Sequence, residues 1–204
     1  MIQLIKKILF TIRVVLSFPV FIAVLLSKNK ELIYQEMRDW KKNLYIDVYN
    51  SNYILFCTLF VYRDYRSCLY TRLGRVSYLF SWLFKGREMF YNFMPSDKIG
   101  KGFIVHHPIA TRINCRGIGE NCMVWQMVTI GKGKAEKGLG TTPIIGNNVK
   151  ICANSTVVGG ITIGNNVTIA AGSVVVKSVP DNCLVAGNPA KIIKRDGVKV
   201  NEPL

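Results

Sequence analysis

The segment IIGNNVKICANSTVVGGITIGNNVTIAAGSVVV (144–176) carries the clearest structural pattern of this 204-residue chain. Its aliphatic residues recur every six positions, a spacing that the 3.6-residue period of a helix does not explain. A period of six is typical of short strands joined by tight turns, with one aliphatic side chain per strand pointing into a shared core. The phased positions are Ile145, Ile151, Val157, Ile163, Ile169 and Val175, preceded by Ile118, Val124 and Ile130 and by Ile99 and Val105.

Two interruptions of this spacing predict exceptions to the regular coil. Val105 and Ile118 are 13 positions apart, which predicts a one-residue bulge just after the adjacent His106 and His107. Ile130 and Ile145 are 15 positions apart, which predicts a loop over 132–143 that is extruded from the coils. Loops on rigid scaffolds often carry function. We therefore predict a hexapeptide-repeat prism of about four coils over 99–179 and a C-terminal tail over 180–204.

The first half of the chain has another composition. Residues 1–98 hold 20 of the 22 aromatic side chains, and we predict an aromatic-rich helical region over 28–98. The preceding segment 1–27 contains the apolar run VVLSFPVFIAVLL (14–26) after Lys6, Lys7 and Arg13. Thirteen uninterrupted apolar residues are too few to span a bilayer. We predict a helix that lies in the membrane interface, with a core or oligomer helix and a true membrane span as the alternatives.

The charge and the cysteine content limit the classes of function that are possible for this protein. The chain carries 27 basic and 12 acidic side chains, spread evenly over its length, and shows no nucleic-acid-binding motif. Anionic lipid headgroups or phosphorylated ligands account for the positive charge as well as a nucleic acid does. Two histidines exclude a three-histidine zinc site from one chain, and we predict no metal. Six cysteines without a CxxC pair favour a reduced, cytoplasmic protein. Together with the apolar, basic first segment, this predicts a peripheral location on the inner face of the cell membrane.

Three motifs carry a family resemblance over about residues 97–195. They are VHHPIATRIN (105–114), IGENCMVWQMVTIGKGK (118–134) and AAGSVVVKSVPDNCLVAGNPAKII (170–193). With them the chain resembles the left-handed parallel β-helix acyltransferases of hexapeptide repeats, in the serine-acetyltransferase-like branch and closest to polysaccharide O-acetyltransferases. The resemblance implies an α+β chain, with a helical N-terminal region before a left-handed parallel β-helix. It also implies a homotrimer with sites between prisms, acetyl-CoA as cosubstrate in a groove between coils, and direct transfer of the acetyl group.

The same resemblance assigns roles to individual residues. The predicted catalytic residues are His107 and His106. His107 matches the catalytic histidine, which takes the proton of the attacking hydroxyl, and His106 precedes it and is expected to point to the opposite face of the strand. Gly131 is expected to place its N–H near the thioester oxygen. Small residues are expected along the pantetheine arm and cations near the phosphates of coenzyme A. The predicted cofactor-binding residues are Gly131, Ala153, Ala171, Lys177, Ala186 and Lys191.

The acceptor is inferred from two departures from serine acetyltransferases. Those enzymes have aspartate where this chain has His106, and an arginine–histidine pair where it has Thr141 and Thr142. We therefore predict an O-acetyltransferase that modifies a sugar hydroxyl of a surface polysaccharide or its lipid-linked precursor. The alternative is serine O-acetyltransferase of cysteine biosynthesis, and a further alternative is a non-catalytic membrane scaffold. Cys122 and Cys152 are expected to pack rather than to act as nucleophiles.

Overall fold

The computed structural model describes residues 2–45, 51–87, 89–135 and 140–204. The chain divides into two compact units, Met1–Gly86 and Arg87–Leu204. The second unit begins before the predicted start of the prism at residue 99, because Tyr91–Asn92 already pairs in parallel with Arg112–Ile113. The aromatic-rich region therefore ends earlier than predicted, and its last residues belong to the β-sheet unit.

The first unit is helical, as the sequence predicts. The helices are α1 (Ile2–Leu26), α2 (Lys30–Asn43), α3 (Asn52–Leu59), α4 (Arg63–Leu73) and α5 (Tyr78–Ser81), with a 3-10 turn at Gly74–Ser77. Pro19 lies inside α1, which continues to Leu26. Gly74 ends α4 with a φ of 56°, a left-handed conformation that glycine adopts without a steric penalty. Among the residues that the structure describes, no helix is long and apolar enough to cross a membrane.

Aromatic packing and one buried ion pair hold these helices together. Phe21 of α1 lies 5.2 Å from Phe56 of α3, measured between ring centroids. Arg72 of α4 and Glu36 of α2 are both buried, and Arg72 Nη2 lies 2.5 Å from Glu36 Oε1. A buried charge without a partner is strongly destabilising, so this pair requires α2 and α4 to pack in one register.

The second unit is a parallel β-helix. Its strands are β1 (Tyr91–Asn92), β2 (Ile104–Val105), β3 (Arg112–Ile113), β4 (Gly117–Ile118), β5 (Met123–Val124), β6 (Thr129–Ala135), β7 (Ile144–Ile145), β8 (Lys150–Ile151), β9 (Thr156–Gly160), β10 (Thr162–Ile163), β11 (Thr168–Ile169), β12 (Val174–Val175), β13 (Cys183–Gly187), β14 (Ala190–Arg195) and β15 (Val198–Pro203). They form three sheets, in the orders β1-β3-β6-β9-β12, β10-β7-β4 and β15-β14-β13-β11-β8-β5-β2. Successive strands enter the three sheets in rotation, and the first sheet takes the chain through four turns between β1 and β12, in agreement with the predicted number of coils.

The aliphatic ladder forms the core of this unit. Ile113, Ile130, Val157 and Val175 occupy one register across the first sheet, and each is at most 1% exposed. At the turns, asparagine side chains bond from coil to coil. Asn148 Nδ2 donates to Asn166 Oδ1 at 3.0 Å, and Asn166 Nδ2 donates to Asn182 Oδ1 at 2.8 Å. All three asparagines have a positive φ, which this residue tolerates better than most.

The C-terminal segment is more ordered than a tail. β13 continues the third sheet in parallel with β11, and β14 and β15 then add antiparallel strands. Ala190 and Ile192 of β14 are buried. The segment 180–204 therefore covers the edge that the last coil would otherwise leave unpaired.

Candidate active site

The corner of the β-helix between β2 and β3 carries both histidines and is longer than the corners above it. Val105 and Ile113 are eight positions apart, whereas the residues in register with them, Val124 and Ile130, are six apart. The backbone N–H of His106 donates to the Val124 carbonyl, as that of Trp125 does to Ile151. His106 is therefore level with Trp125, and the ladder is still regular at this point.

Beyond His106 the register shows which residues are extra. The backbone N–H of Met127 donates to the Ile109 carbonyl, just as that of Asn154 donates to the Gln126 carbonyl one coil later. Ile109 thus occupies the position of Gln126. His107 and Pro108 are the two inserted residues, and the predicted bulge of one residue after the histidines is wrong. The interval from Ile113 to Ile118 is one residue short of the regular six, so the total spacing from Val105 concealed the second insertion.

His107 is exposed and has a φ of 46°, in the left-handed region. Its carbonyl accepts a hydrogen bond from the Ile109 N–H at 2.5 Å, which closes a tight turn around Pro108. The expectation that the two histidines alternate across a strand is incorrect, because β2 ends at Val105. The insertion instead projects the His107 imidazole away from the regular coil, a position from which a general base can approach a substrate.

His106 has a different environment. Its imidazole stacks on the indole of Trp125, with centroids 5.0 Å apart and ring planes inclined by 25°. The two imidazoles lie 6.5 Å apart. His106 is half-buried, and its ring lies against the next coil.

A row of corner residues runs along the β-helix beside the insertion. Ile109, Gln126, Ala153 and Ala171 occupy equivalent positions in successive coils, because the N–H groups of Met127, Asn154 and Gly172 donate to Ile109, Gln126 and Ala153. Adjacent strands lie about 4.8 Å apart, so these four residues follow one another at a regular spacing along the stack of coils. Ala153 and Ala171 were predicted as small residues beside the pantetheine arm, and the structure places both in this one row.

Gln126 belongs to the same row but was not recognised in the sequence. Its Oε1 atom is buried and has no hydrogen-bond partner in the described part of the chain. An unsatisfied buried acceptor costs about 1–3 kcal/mol, so native proteins seldom retain one that no partner ever meets. The residue stands between the histidine corner and Ala153. This location makes it a candidate for contact with a bound ligand.

Gly131 lies on β6, paired with Val158 of β9. A Cβ placed on Gly131 would meet no atom within 4 Å, so the space beside this residue is open. β6 continues to Ala135, and the N–H of Gly133 donates to the Thr141 carbonyl at 2.9 Å. The first part of the loop predicted over 132–143 is therefore strand, because β9 is also long enough to pair with it. Residues 136–139 of that loop lie outside the described residues.

Two of the predicted phosphate-binding lysines lie at a single cavity. Lys177 and Lys191 both line a cavity of about 170 Å³ that is bounded on its other sides mainly by apolar side chains and Pro189. Lys177 Nζ donates to the Leu204 carbonyl at 2.6 Å. Ala186 of β13 is half-buried and pairs with Lys191 across the antiparallel ladder. The structure thus brings together Lys177, Ala186 and Lys191, at the opposite end of the coil stack from the histidines.

The cysteines are suited to packing. Burial raises the pKa of the Cys122 thiol to about 11 and that of Cys115 to about 12. Burial also raises the pKa of Cys152, against a smaller lowering effect of Lys150. A nucleophilic cysteine needs a lowered pKa, so these environments disfavour that role. Among the described residues, no group of three or more histidine, cysteine or acidic side chains is arranged to hold a metal ion.

Comparison with known proteins agrees with this architecture. The family described as bacterial transferase hexapeptide (six repeats) matches residues 142–177. A serine acetyltransferase of Staphylococcus aureus (strain Mu50 / ATCC 700699) is 36% identical over 159 residues, which cover 77% of this chain and 71% of that protein. The crystal structure of Neisseria gonorrhoeae serine acetyltransferase in complex with serine superposes with a TM-score of 0.60 at 25% identity, covering 84% of this chain and 72% of that one.

A further solved structure, a serine acetyltransferase in complex with CoA, has a TM-score of 0.56 at 19% identity and covers 80% of this chain and 69% of that one. These likenesses confirm the predicted fold class, a helical region followed by a left-handed parallel β-helix. They also confirm that the protein is an acyltransferase. The chain belongs to the serine acetyltransferase family of hexapeptide-repeat acyltransferases.

Proposed function

We propose that this protein transfers the acetyl group of acetyl-CoA to the hydroxyl of L-serine, with His107 as the general base. The observation that carries the chemistry is the position of His107. It is exposed on a two-residue insertion, next to a row that contains Ala153 and Ala171. The acceptor is supported by the relatives, which are serine acetyltransferases over most of this chain's length.

His107 supplies the proton transfer that this reaction needs. A neutral imidazole takes the proton of the serine hydroxyl as its oxygen bonds to the thioester carbon. The carbon–sulfur bond then breaks, and the imidazolium returns the proton to the departing sulfur. Gly131, beside open space on β6, remains our predicted donor to the carbonyl oxygen. Acetyl-CoA supplies the acetyl group, and the row with Ala153 leaves room for a slender arm.

Residues near the histidine corner and residues at the far end of the coil stack both support the binding of coenzyme A. Gln126 Oε1 is buried and unpaired, and it would offer a hydrogen-bond acceptor to an amide N–H of the pantetheine arm once the side chain turns outward. Lys177 and Lys191 offer cations for the phosphates, and they line one cavity. Since the row runs from the histidine corner past Ala153 and Ala171, the groove has the reactive end and the cationic end in the required order.

A sugar hydroxyl is the second candidate acceptor, and a specific observation favours it. Recognition of the serine carboxylate and ammonium needs charged partners, and His106 is instead occupied in stacking on Trp125. Thr141 and Thr142 replace the arginine–histidine pair of serine acetyltransferases. An imidazole–indole pair offers a flat apolar surface, which suits the face of a sugar ring better than it suits a small zwitterion.

The experiment is thiol release from acetyl-CoA by the purified protein and its His107→Ala variant. The acceptors are L-serine, simple sugars and a membrane extract that contains lipid-linked sugars. We expect release with L-serine that the variant abolishes. Release that requires a sugar or the extract, again lost in the variant, would replace serine by the second candidate. Absence of release with every acceptor would contradict both, and would leave the scaffold alternative.

We also infer that the chain acts as a homotrimer. Ile109 and Met127 lie at the histidine corner and are about half exposed, an apolar surface beside a predicted catalytic base. A neighbouring prism that covers them would exclude water from His107. Light scattering after size exclusion is expected to give three times the mass of the 23.0 kDa chain. A monomer that retains full activity would contradict this inference.

A further inference from the structure

The helical unit contains an apolar groove that no part of the acetyltransferase reaction uses. It has a volume of about 640 Å³ and lies between two segments of the chain. One wall is the second half of α1 with the residues that follow it, and the other is the end of α4 with the turn and α5. Leu26, Lys28, Val76 and Leu79 are among the residues that line it.

The rim of this groove exposes large apolar side chains. Leu26 is 82% exposed, Leu79 is 68% exposed, and Trp82 at the end of α5 is 72% exposed. Tyr78 and Leu83 of the same segment are also exposed. Soluble monomers seldom leave contiguous apolar surface uncovered, and such surface commonly marks an interaction site. These residues, together with the groove, are called the groove face below.

The charge of the two segments points to the kind of partner. Residues 2–30 and 74–85 carry seven basic side chains and none of the 12 acidic side chains of the chain. Lys28 lines the groove, and both Lys28 and Arg75 are exposed. Glu31, 3.6 Å from Lys30, follows the first segment, so the charge around the groove face is predominantly positive. An apolar surface with an excess of cations is complementary to a surface that is apolar inside and anionic outside. An anionic lipid bilayer has that arrangement.

We propose that the groove face docks on an anionic lipid bilayer, with α1 and the segment 74–85 lying in the headgroup region. Trp82 is of the residue type that is enriched at membrane interfaces, and lysine side chains there bury their stems while their charges stay in water. A second copy of the chain is the less suitable occupant. A two-fold contact through this face would bring two surfaces with an excess of positive charge together, and Glu31 beside Lys30 compensates only part of that charge.

The test uses the full-length protein and sedimentation with vesicles. We expect cosedimentation with vesicles of phosphatidylcholine and phosphatidylglycerol, and at least tenfold weaker binding to phosphatidylcholine alone or in 0.5 M salt, because the charge attraction is screened. The double variant Leu79→Ser/Trp82→Ser and the double variant Lys28→Glu/Arg75→Glu are each expected to lose binding at least tenfold. Val198→Ser, which changes an exposed apolar residue of the other unit, is the matched control.

Tryptophan fluorescence provides a second readout. The emission of Trp82 is expected to shift to the blue on vesicle addition, whereas Trp82→Phe is expected to bind and to lose most of the shift. Acetyl transfer to a soluble acceptor is expected to be equal in the groove-face variants and in Val198→Ser. Equal vesicle binding by the groove-face variants and the control would overturn the proposal. A change of oligomeric mass in those variants, without any vesicle binding by the unmodified protein, would do the same and would identify the face as a subunit contact.

Discussion

The imidazole of His106 stacks on the indole of Trp125 with 5.0 Å between the ring centroids. His106 is the last regular residue before the insertion that carries His107, and Trp125 belongs to the next coil. The stack therefore holds the backbone at His106, immediately before the insertion that contains His107. Stacked aromatic rings contribute about 0.5–1.5 kcal/mol beyond their buried area, enough to favour one orientation of the corner.

Replacing Trp125 tests whether this stack positions His107. Trp125→Ala is expected to lower kcat about three- to tenfold and to leave the KM for acetyl-CoA within about twofold, because only the histidine corner is loosened. Trp125→Phe retains a ring and is expected to recover most of kcat. Steady-state kinetics of the three proteins provide the measurement. Equal losses for both variants would show that the stack is not what matters.

His107→Ala removes the proposed base. A positioned general base contributes about 10²–10⁴-fold, so kcat is expected to fall by that factor. Coenzyme A binding, measured by calorimetry, is expected to be unchanged, and circular dichroism is expected to show an intact fold because His107 is exposed. A variant that retains a tenth of the activity or more would argue for another base.

Gln126→Ala tests the unpaired amide of the corner row. If Oε1 accepts a hydrogen bond from coenzyme A, the variant is expected to bind the cofactor about five- to tenfold more weakly, which corresponds to about 1–1.5 kcal/mol. The melting temperature is expected to stay equal or to rise, since a buried acceptor without a protein partner is removed. Opposite signs for binding and stability separate this role from simple packing. Unchanged affinity would contradict it.

His106→Asp tests what discriminates between the two acceptors. The substitution introduces the carboxylate that serine acetyltransferases have at this position, and an aspartate provides a partner for the serine ammonium group. We expect the KM for L-serine to fall several-fold, with activity toward any sugar acceptor reduced because the ring stack is lost. His106→Asn, which has the same shape without the charge, is the control. Identical kinetics of the two variants would exclude a charge effect.

Buried thiols predict a decline in stability at alkaline pH. The pKa of Cys122 is about 11 in the folded protein, against an ordinary value near 9.0, chiefly because of burial. Its contribution is fully present below pH 9 and is lost as the pH rises toward 11, since only the unfolded state ionises in that interval. Two pKa units correspond to about 3 kcal/mol. Urea unfolding between pH 8 and 11 is expected to show this loss, and Cys122→Ser to show a shallower dependence on pH. Parallel curves would rule out Cys122 as the cause.

The architecture of the second unit can be predicted from the amino-acid pattern alone. A period of six in aliphatic residues is compatible with few folds, because one repeat cannot bury its apolar residue alone. The column that includes Ile130, Val157 and Val175 is accordingly buried as the period predicts. The helical character of the first unit was predicted from the composition of residues 1–98.

The details of the site follow from contacts between coils and could not be predicted from the linear pattern. Relative to a regular coil, the interval from Val105 to Ile113 has two extra residues and the interval from Ile113 to Ile118 lacks one. The total spacing of 13 therefore shows only one extra residue. The insertion became visible through the backbone hydrogen bonds of Met127 and Asn154, which identify the residues that are level with each other. Gln126 lies within the quoted motif 118–134, but the pattern did not distinguish it from its neighbours, and its importance lies in a buried oxygen without a partner in the described part of the chain. Register and burial arise from contacts between coils, so a linear pattern predicts the ladder but not what each corner presents to a substrate.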